Sequence, residues 1–335
     1  MKIAVVGAGV AGSYLLNRIP SEHHVECFEM RPKEKWYTVC AWGTSAPYIG
    51  EMVRKAGFNF DDYILHRGKR MIVDTGTSEF EINLKGLVTY DKHRLVEDML
   101  EGKVVHWGRQ VNSTNGDFQD FDMVVDATGL QRALLPKLQE DVVIPSVEYQ
   151  VKSKEFPWDD FYIKPYRGLS GYLWFFPLGD GLGHIGAGDY YGKYKGELEA
   201  FLKKYNCETV RKIGRPVRII PPSYCQPFSS GKFVGVGESI GSVYPLLGEG
   251  IIPSMQCADA FVENINNLES YRRDVLERFH IYSRVYRFVK AKIDGNFSLF
   301  KQLPNLLSIF LHMKRNERRY GLQTKLFDIL KVVRA

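Results

Sequence analysis

Lys2-Ile3-Ala4-Val5-Val6-Gly7-Ala8-Gly9-Val10-Ala11-Gly12 opens the chain and decides its architecture. Lys2 to Val6 reads as a buried apolar strand, and Val10 to Arg18 as a helix. Between them Gly7 permits a tight turn, Gly9 lets the backbone approach a pyrophosphate, and Gly12, next to Ala11, lets helix and strand pack closely. The helix N-terminus supplies unpaired N–H groups and partial positive charge to phosphates. Val25 to Glu29 reads as a second strand that ends in an acid, 17 residues beyond Gly12, close to the ~20 expected of a dinucleotide site. A carboxylate there accepts hydrogen bonds from both ribose hydroxyls of an adenosine and repels a 2′-phosphate, so Glu29 and the adjacent Met30 enter the candidate site. Strand, glycine turn, helix and strand form a βαβ unit, which makes this sheet parallel.

The remaining chain divides by character. Arg70 to Leu84 alternates and is rich in Val, Ile and Thr, which predicts a hairpin. Tyr149 to Tyr191 is dense in aromatics, glycine and short strand-like runs, which predicts antiparallel sheet. Gly196 to Tyr205 reads as a helix. Lys232 to Gly237 returns to a buried strand, and Ile251 to Ile265 to a helix. From Leu268 the pattern is helical, with breaks expected near Pro304 and Gly321. The predicted class is α/β: a Rossmann-type domain from residues 1–143 and 216–270, an inserted antiparallel substrate domain at 144–215 joined by the hairpin at 70–84, and a basic helical region at 271–335.

Composition narrows the function. The 335 residues, 44% of them hydrophobic, suffice for a sizeable core. No segment reaches the roughly 18 apolar residues that suggest a membrane span. Five scattered cysteines without a CxxC pair argue against a disulfide framework and against a zinc site, and a reducing cytoplasm is the expected compartment. The net charge of +6 is uneven: residues 271–335 hold 15 Lys and Arg against 5 Asp and Glu, a net +10, so the remainder carries −4. Such a stretch suits an anionic lipid surface at the inner face of a membrane, with a solvated helical face as the competing reading.

Two later segments separate FAD from NAD. Met123-Val124-Val125-Asp126-Ala127-Thr128-Gly129 is a strand running into a small-residue turn, and it resembles the D-A-T-G segment that passes the dinucleotide in two-domain flavoproteins. Gly235-Val236-Gly237-Glu238-Ser239-Ile240-Gly241 resembles their second fingerprint, with Glu238 where those proteins have Asp. Gly248-Glu249-Gly250-Ile251 opens the next helix, whose N–H groups suit the edge of a flavin where negative charge accumulates on reduction. Tyr90-Asp91-Lys92-His93-Arg94 offers Arg94 to the flavin or its phosphates.

Three further blocks resemble the geranylgeranyl reductases, which share the p-hydroxybenzoate-hydroxylase fold. They are the cysteine loop Val39-Cys40-Ala41-Trp42-Gly43-Thr44-Ser45, the block Gly171-Tyr172-Leu173-Trp174-Phe175-Phe176-Pro177, and the loop Val243-Tyr244-Pro245-Leu246-Leu247-Gly248-Glu249-Gly250-Ile251. The first carries Ala41 where glycine is common, and the last carries Tyr244 in place of the usual Asn. The resemblance spans residues 1 to about 265. It implies FAD as cofactor and reduction of C=C bonds in geranylgeranyl or polyprenyl groups of archaeal-type isoprenoid lipids. It places Cys40 beside the flavin, as contact and proton donor, with Tyr172 as an alternative acid. Tyr172, Trp174 and Phe176 alternate, so on a strand they share one face and suit an apolar substrate channel. No second GxGxxG unit is present, so the expected electron donor visits transiently, as a reduced ferredoxin-like carrier or NAD(P)H. A nucleic-acid partner is not expected. The runner-up is a flavin-dependent monooxygenase or halogenase of the same fold, although the lysine a halogenase needs near its substrate cannot be placed from sequence. A flavin-bearing electron carrier is the non-enzymatic alternative.

Overall fold

A computed structural model describes residues 1–38, 40–111 and 116–334 of the chain. Val39 of the cysteine loop and the terminal Ala335 lie outside the described residues.

The opening βαβ unit sets the first sheet. Lys2–Val6 lies at its centre, flanked by His24–Glu29 and Met123–Asp126. Val105–Trp107 extends one side, and Phe233–Gly235 extends the other. All of these pairings are parallel. Only the short Ser229–Ser230 edge strand runs antiparallel. The helices Val10–Arg18 and Ile251–Glu263 pack on this sheet and on each other, and the same core cluster continues into the C-terminal helices as far as Val333. The fold is thus α/β, with the parallel sheet assembled from separated segments.

The second sheet has seven strands in the order Glu208–Gly214, Ser146–Lys152, Leu182–Asp189, Gly171–Gly179, Phe161–Pro165, Arg70–Asp74 and Glu79–Asn83. The hairpin at 70–84 joins its edge. One pairing departs from the antiparallel expectation: Phe161–Pro165 runs parallel to Arg70–Asp74. These strands come from segments far apart in the chain, so no hairpin turn dictates their direction. Leu173 and Phe175 point from Gly171–Gly179 into a separate core with Ile185, Leu198 and Phe201. The alternate residues Tyr172, Trp174 and Phe176 therefore turn the other way, toward the junction of the two sheets. A small third sheet, Gly43–Ser45, Leu87–Tyr90 and Ile64–Arg67, sits at that junction.

The C-terminal stretch also departs from the sequence reading. Pro304 does not break a helix; it lies inside Leu299–Arg315. The proline is exposed, and the carbonyl its missing N–H would have served, that of Phe300, belongs to a residue on the solvent side, where water is available to it. The expected break at Gly321 is present, and another falls at Gly295 rather than at Pro304, both glycines being in left-handed conformation. The region also packs on the rest of the molecule. The Gly321 carbonyl accepts hydrogen bonds from the N–H groups of Lys85 and Leu87, and Leu306, Ile309 and Met313 join the main core.

Candidate functional site

One cavity of about 1170 Å³ runs from the glycine loop, past the Cys40 loop and the aromatic strand, to the C-terminal helices. That lies above the ~300–1,000 Å³ of a pocket for one small ligand, which leaves room for a larger one.

The glycine loop shapes its first end. Gly7 has φ +104°, and a Cβ there would fall 2.5 Å from the Ala127 carbonyl oxygen. At Gly12 a Cβ would lie 1.9 Å from the Gly7 oxygen, so this residue is bound by packing. A Cβ on Gly9 would meet nothing within 4 Å; its surface is open cavity. Ala11 lines the cavity one helical residue further on. Glu29 is held at the mouth of the loop, with Oε2 accepting from the Ala8 N–H at 3.0 Å and Oε1 from the Arg31 N–H at 3.0 Å. Each oxygen keeps lone pairs for further donors such as ribose hydroxyls. Met30 lies beside it on the cavity wall.

Buried charges fasten the later segments around this end. Asp126 accepts from Thr128 N–H, Thr128 Oγ1 and Leu134 N–H, which fixes the turn that brings Ala127, Thr128 and Gly129 to the cavity. Glu238 also lines it, with Oε1 accepting from Arg218 N–H at 3.0 Å. Gly237, with φ +81°, packs against Ala11 and Ser254 rather than lining the space. The Arg218 guanidinium grips Asp141 and donates to the carbonyls of Leu130 and Glu238. Arg132 does the same for Ser239 and Pro227. Both arginines are buried positioning residues that the sequence reading missed. Their role emerges only once distant turns are brought together.

The Cys40 loop and the loop 243–251 both line the cavity. Arg94, expected here, is not brought to the site: it lies on the surface, over the Tyr63 ring and near Asp98. Lys92 takes the cavity position, with Nζ 3.2 Å from Cys40 Sγ. The two residues are separated by about 200° of helical turn in Lys92–Leu100, so only one can face inward. The Glu249 carboxylate accepts from Ile252 N–H at 2.9 Å, capping the helix that Gly250 and Ile251 open. Its other oxygen pairs with Arg319 Nη2 at 2.6 Å. Arg319 is buried, and although desolvation alone would lower its pKa, the adjacent Glu249 carboxylate holds it above the ordinary value. This ion pair ties Gly248–Ile251 to the C-terminal region, a link invisible in sequence.

The aromatic face completes the wall. Tyr172, Trp174 and Phe176 all line the cavity. Gly186 lies flat beneath Trp174 and Gly43 beneath Phe176, where a Cβ would collide with each ring at 2.3 and 2.4 Å. The Tyr172 hydroxyl donates to the Leu247 carbonyl at 2.5 Å. Burial, and secondarily the Glu249 charge, raise its pKa well above the ordinary tyrosine value. Tyr172 therefore keeps its proton and positions the 243–251 loop, which argues against it as the acid.

A polar cluster stands behind this wall. Trp42, in left-handed conformation at φ 59° and 5% exposed, lies with its ring centroid 4.9 Å from that of His184. His184 Nδ1 and Glu148 Oε1 are 3.1 Å apart without hydrogen-bond geometry, and neither finds another partner among the described residues. Trp42 Nε1, Thr38 Oγ1 and Thr44 Oγ1 are likewise buried and unpaired, and they line the cavity with Glu148. Unpaired buried groups cost about 1–3 kcal/mol each, so this wall suits a ligand with a hydrogen-bonding edge or ordered water. An open space at Gly9, an anchored acid at Glu29 and unpaired donors around Cys40 together fit a flavin dinucleotide.

No protein-family model matches the chain. An uncharacterized protein of Methanocaldococcus jannaschii is 26% identical over 299 residues, covering 75% of this chain and 80% of that one. Among solved structures, a geranylgeranyl bacteriochlorophyll reductase-like protein of Thermoplasma acidophilum aligns with TM-score 0.67 at 16% identity, covering 99% of this chain and 95% of the other. A flavin-dependent brominase aligns with TM-score 0.66 at 14% identity over 99% and 98% of the two chains. A probable FAD-dependent monooxygenase of Pseudomonas aeruginosa aligns with TM-score 0.64 at 14% identity over 91% and 99%. The fold of this chain is the one shared by these FAD-dependent and reductase-like proteins.

Proposed function

We propose that this protein binds FAD and saturates C=C bonds of geranylgeranyl or polyprenyl groups in archaeal-type isoprenoid lipids, at the inner face of a membrane. The observation that carries the reading is the shape of the cavity. Beyond Tyr172, Trp174 and Phe176 it continues between the C-terminal helices, where Phe288, Leu306, Ile309 and Met313 give it an apolar lining suited to a long hydrocarbon. Gly7, Gly9, Ala11, Glu29, Met30, Thr128 and Glu238 would hold the dinucleotide, and Cys40, Lys92 and Gly248–Ile251 the ring end. The cofactor supplies the hydride when reduced. The chain's own residues bind the prenyl group against the aromatic face, exclude water from it, and deliver a proton from the Cys40 side. The electron donor is a transient partner, a reduced ferredoxin-like carrier or NAD(P)H.

The test is to reduce the FAD-loaded protein anaerobically, add a geranylgeranyl lipid and weigh the product. A gain of two hydrogens per double bond supports the reading, and an unchanged lipid with fully reduced cofactor defeats it. Within this reading, Trp174→Ala is expected to weaken a geranylgeranyl substrate by about 1–3 kcal/mol through lost apolar contact, with FAD retained. KM values unchanged across prenyl lengths would count against the pocket.

A flavin-dependent halogenase or monooxygenase is favoured by one observation, the placement of Lys92 inside the cavity. In that case the reduced protein, given dioxygen and, for a halogenase, halide, would hydroxylate or halogenate an aromatic substrate, and the prenyl lipid would return unaltered.

A further inference from the structure

The helix Leu299–Arg315 has two apolar faces. One, with Leu306, Ile309 and Met313, is buried and lines the cavity. The other carries Phe300, Leu303, Leu307 and Leu311, which share a side of the helix at spacings of three and four residues. All four are exposed, Phe300 at 92%. Pro304 lies exposed among them. A contiguous apolar strip of this kind marks an interaction surface.

Its rim is cationic. Lys301 and Arg315 are exposed and make no ion pair among the described residues. Lys314 is exposed too, although Glu317 pairs with it at 2.7 Å. No helix among the described residues is long and apolar enough to cross a membrane.

We infer that the Leu299–Arg315 helix docks in the plane of an anionic lipid bilayer, with Phe300, Leu303, Leu307 and Leu311 immersed and Lys301 and Arg315 among the headgroups. Charge complementarity selects the partner: an apolar strip alone suits many surfaces, whereas a cationic rim around it suits anionic headgroups. The helix then separates bilayer from cavity, with hydrocarbon on one face and the cavity's apolar arm on the other. The inference rests on this surface and stands whether or not the cavity reduces prenyl lipids.

The experiment is sedimentation of the full-length FAD-loaded protein with vesicles of phosphatidylcholine alone or mixed with phosphatidylglycerol, at low salt. Binding at least about tenfold tighter to the anionic vesicles is expected. A Phe300→Ser/Leu307→Ser variant should lose about tenfold or more on the same vesicles with an unchanged melting temperature, because both side chains face solvent. Lys301→Glu/Arg315→Glu should erase the preference for anionic over neutral lipid. Equal binding to both vesicle types by the unaltered protein overturns the inference. So does a dimer in gel filtration that the serine variant dissociates, since a second copy would then own the strip.

Discussion

A Gly9→Val variant is expected to purify as folded, colourless protein. Gly9 caps the first helix with φ −81° and ψ −164°, an extended conformation open to valine. Its added side chain meets no protein atom within 4 Å of the Cβ. The cost to the fold is limited to a poorer N-cap, about 1 kcal/mol. The space it fills is the space a pyrophosphate needs at the helix N-terminus. FAD affinity should therefore fall by more than about a thousandfold, ~4 kcal/mol. Gly12→Ala provides the contrast. Its Cβ would sit 1.9 Å from the Gly7 oxygen, inside the packing of strand on helix, so it should fail in folding before it fails in binding. Flavin absorbance and a thermal melt separate the two outcomes. A Gly9→Val protein that retains stoichiometric yellow cofactor would show that the dinucleotide does not lie on this loop.

That contrast also marks what sequence can disclose. Gly7, Gly9, Gly12 and Glu29 are legible because one local unit contains all of them, and the βαβ pattern fixes their relation. The alternation of Tyr172, Trp174 and Phe176 is legible for the same reason: two-residue periodicity on a strand determines which side each ring takes. Arg94 and Lys92 show the limit. Both are cations at the start of one helix, and the side facing inward is set by how Lys92–Leu100 packs on Val10–Arg18, not by residue type. Arg218, Arg319 and the Glu148–His184 pair were out of reach altogether. Their partners lie far away in sequence: Arg218 meets Asp141, and Arg319 meets Glu249. The C-terminal helices read as a basic helical region because charge dominates their composition. Their buried face becomes visible only where Leu306, Ile309 and Met313 meet the core.

Cys40→Ala is expected to keep FAD and its reduction by dithionite while losing alkene turnover by about 10²–10⁴-fold, the usual contribution of a positioned acid. An isolated trisubstituted alkene accepts hydride poorly unless a proton arrives at its less substituted carbon. The donor must face the alkene inside the cavity. Among the candidates read from sequence, Tyr172 is committed to the Leu247 carbonyl and holds its proton tightly. Cys40 remains, and the structure adds what sequence could not: Lys92 Nζ at 3.2 Å from its sulfur. An ammonium there is a ready partner for the anion left when the thiol gives up its proton, and it carries protons with which to restore it. Lys92→Met should therefore lower turnover in the same direction, and Cys40→Ser should recover part of it, since a hydroxyl can still pass a proton at that place. A packing role predicts otherwise, because serine and alanine would then behave alike. Deuterium uptake from heavy water into the product gives a readout apart from rate: the label should enter at the less substituted carbon, more slowly in Cys40→Ser than in the unaltered protein. If Cys40→Ala saturates the prenyl chain at the unaltered rate, the acid lies elsewhere on the wall, and the unpaired Glu148–His184 cluster is the next place to look.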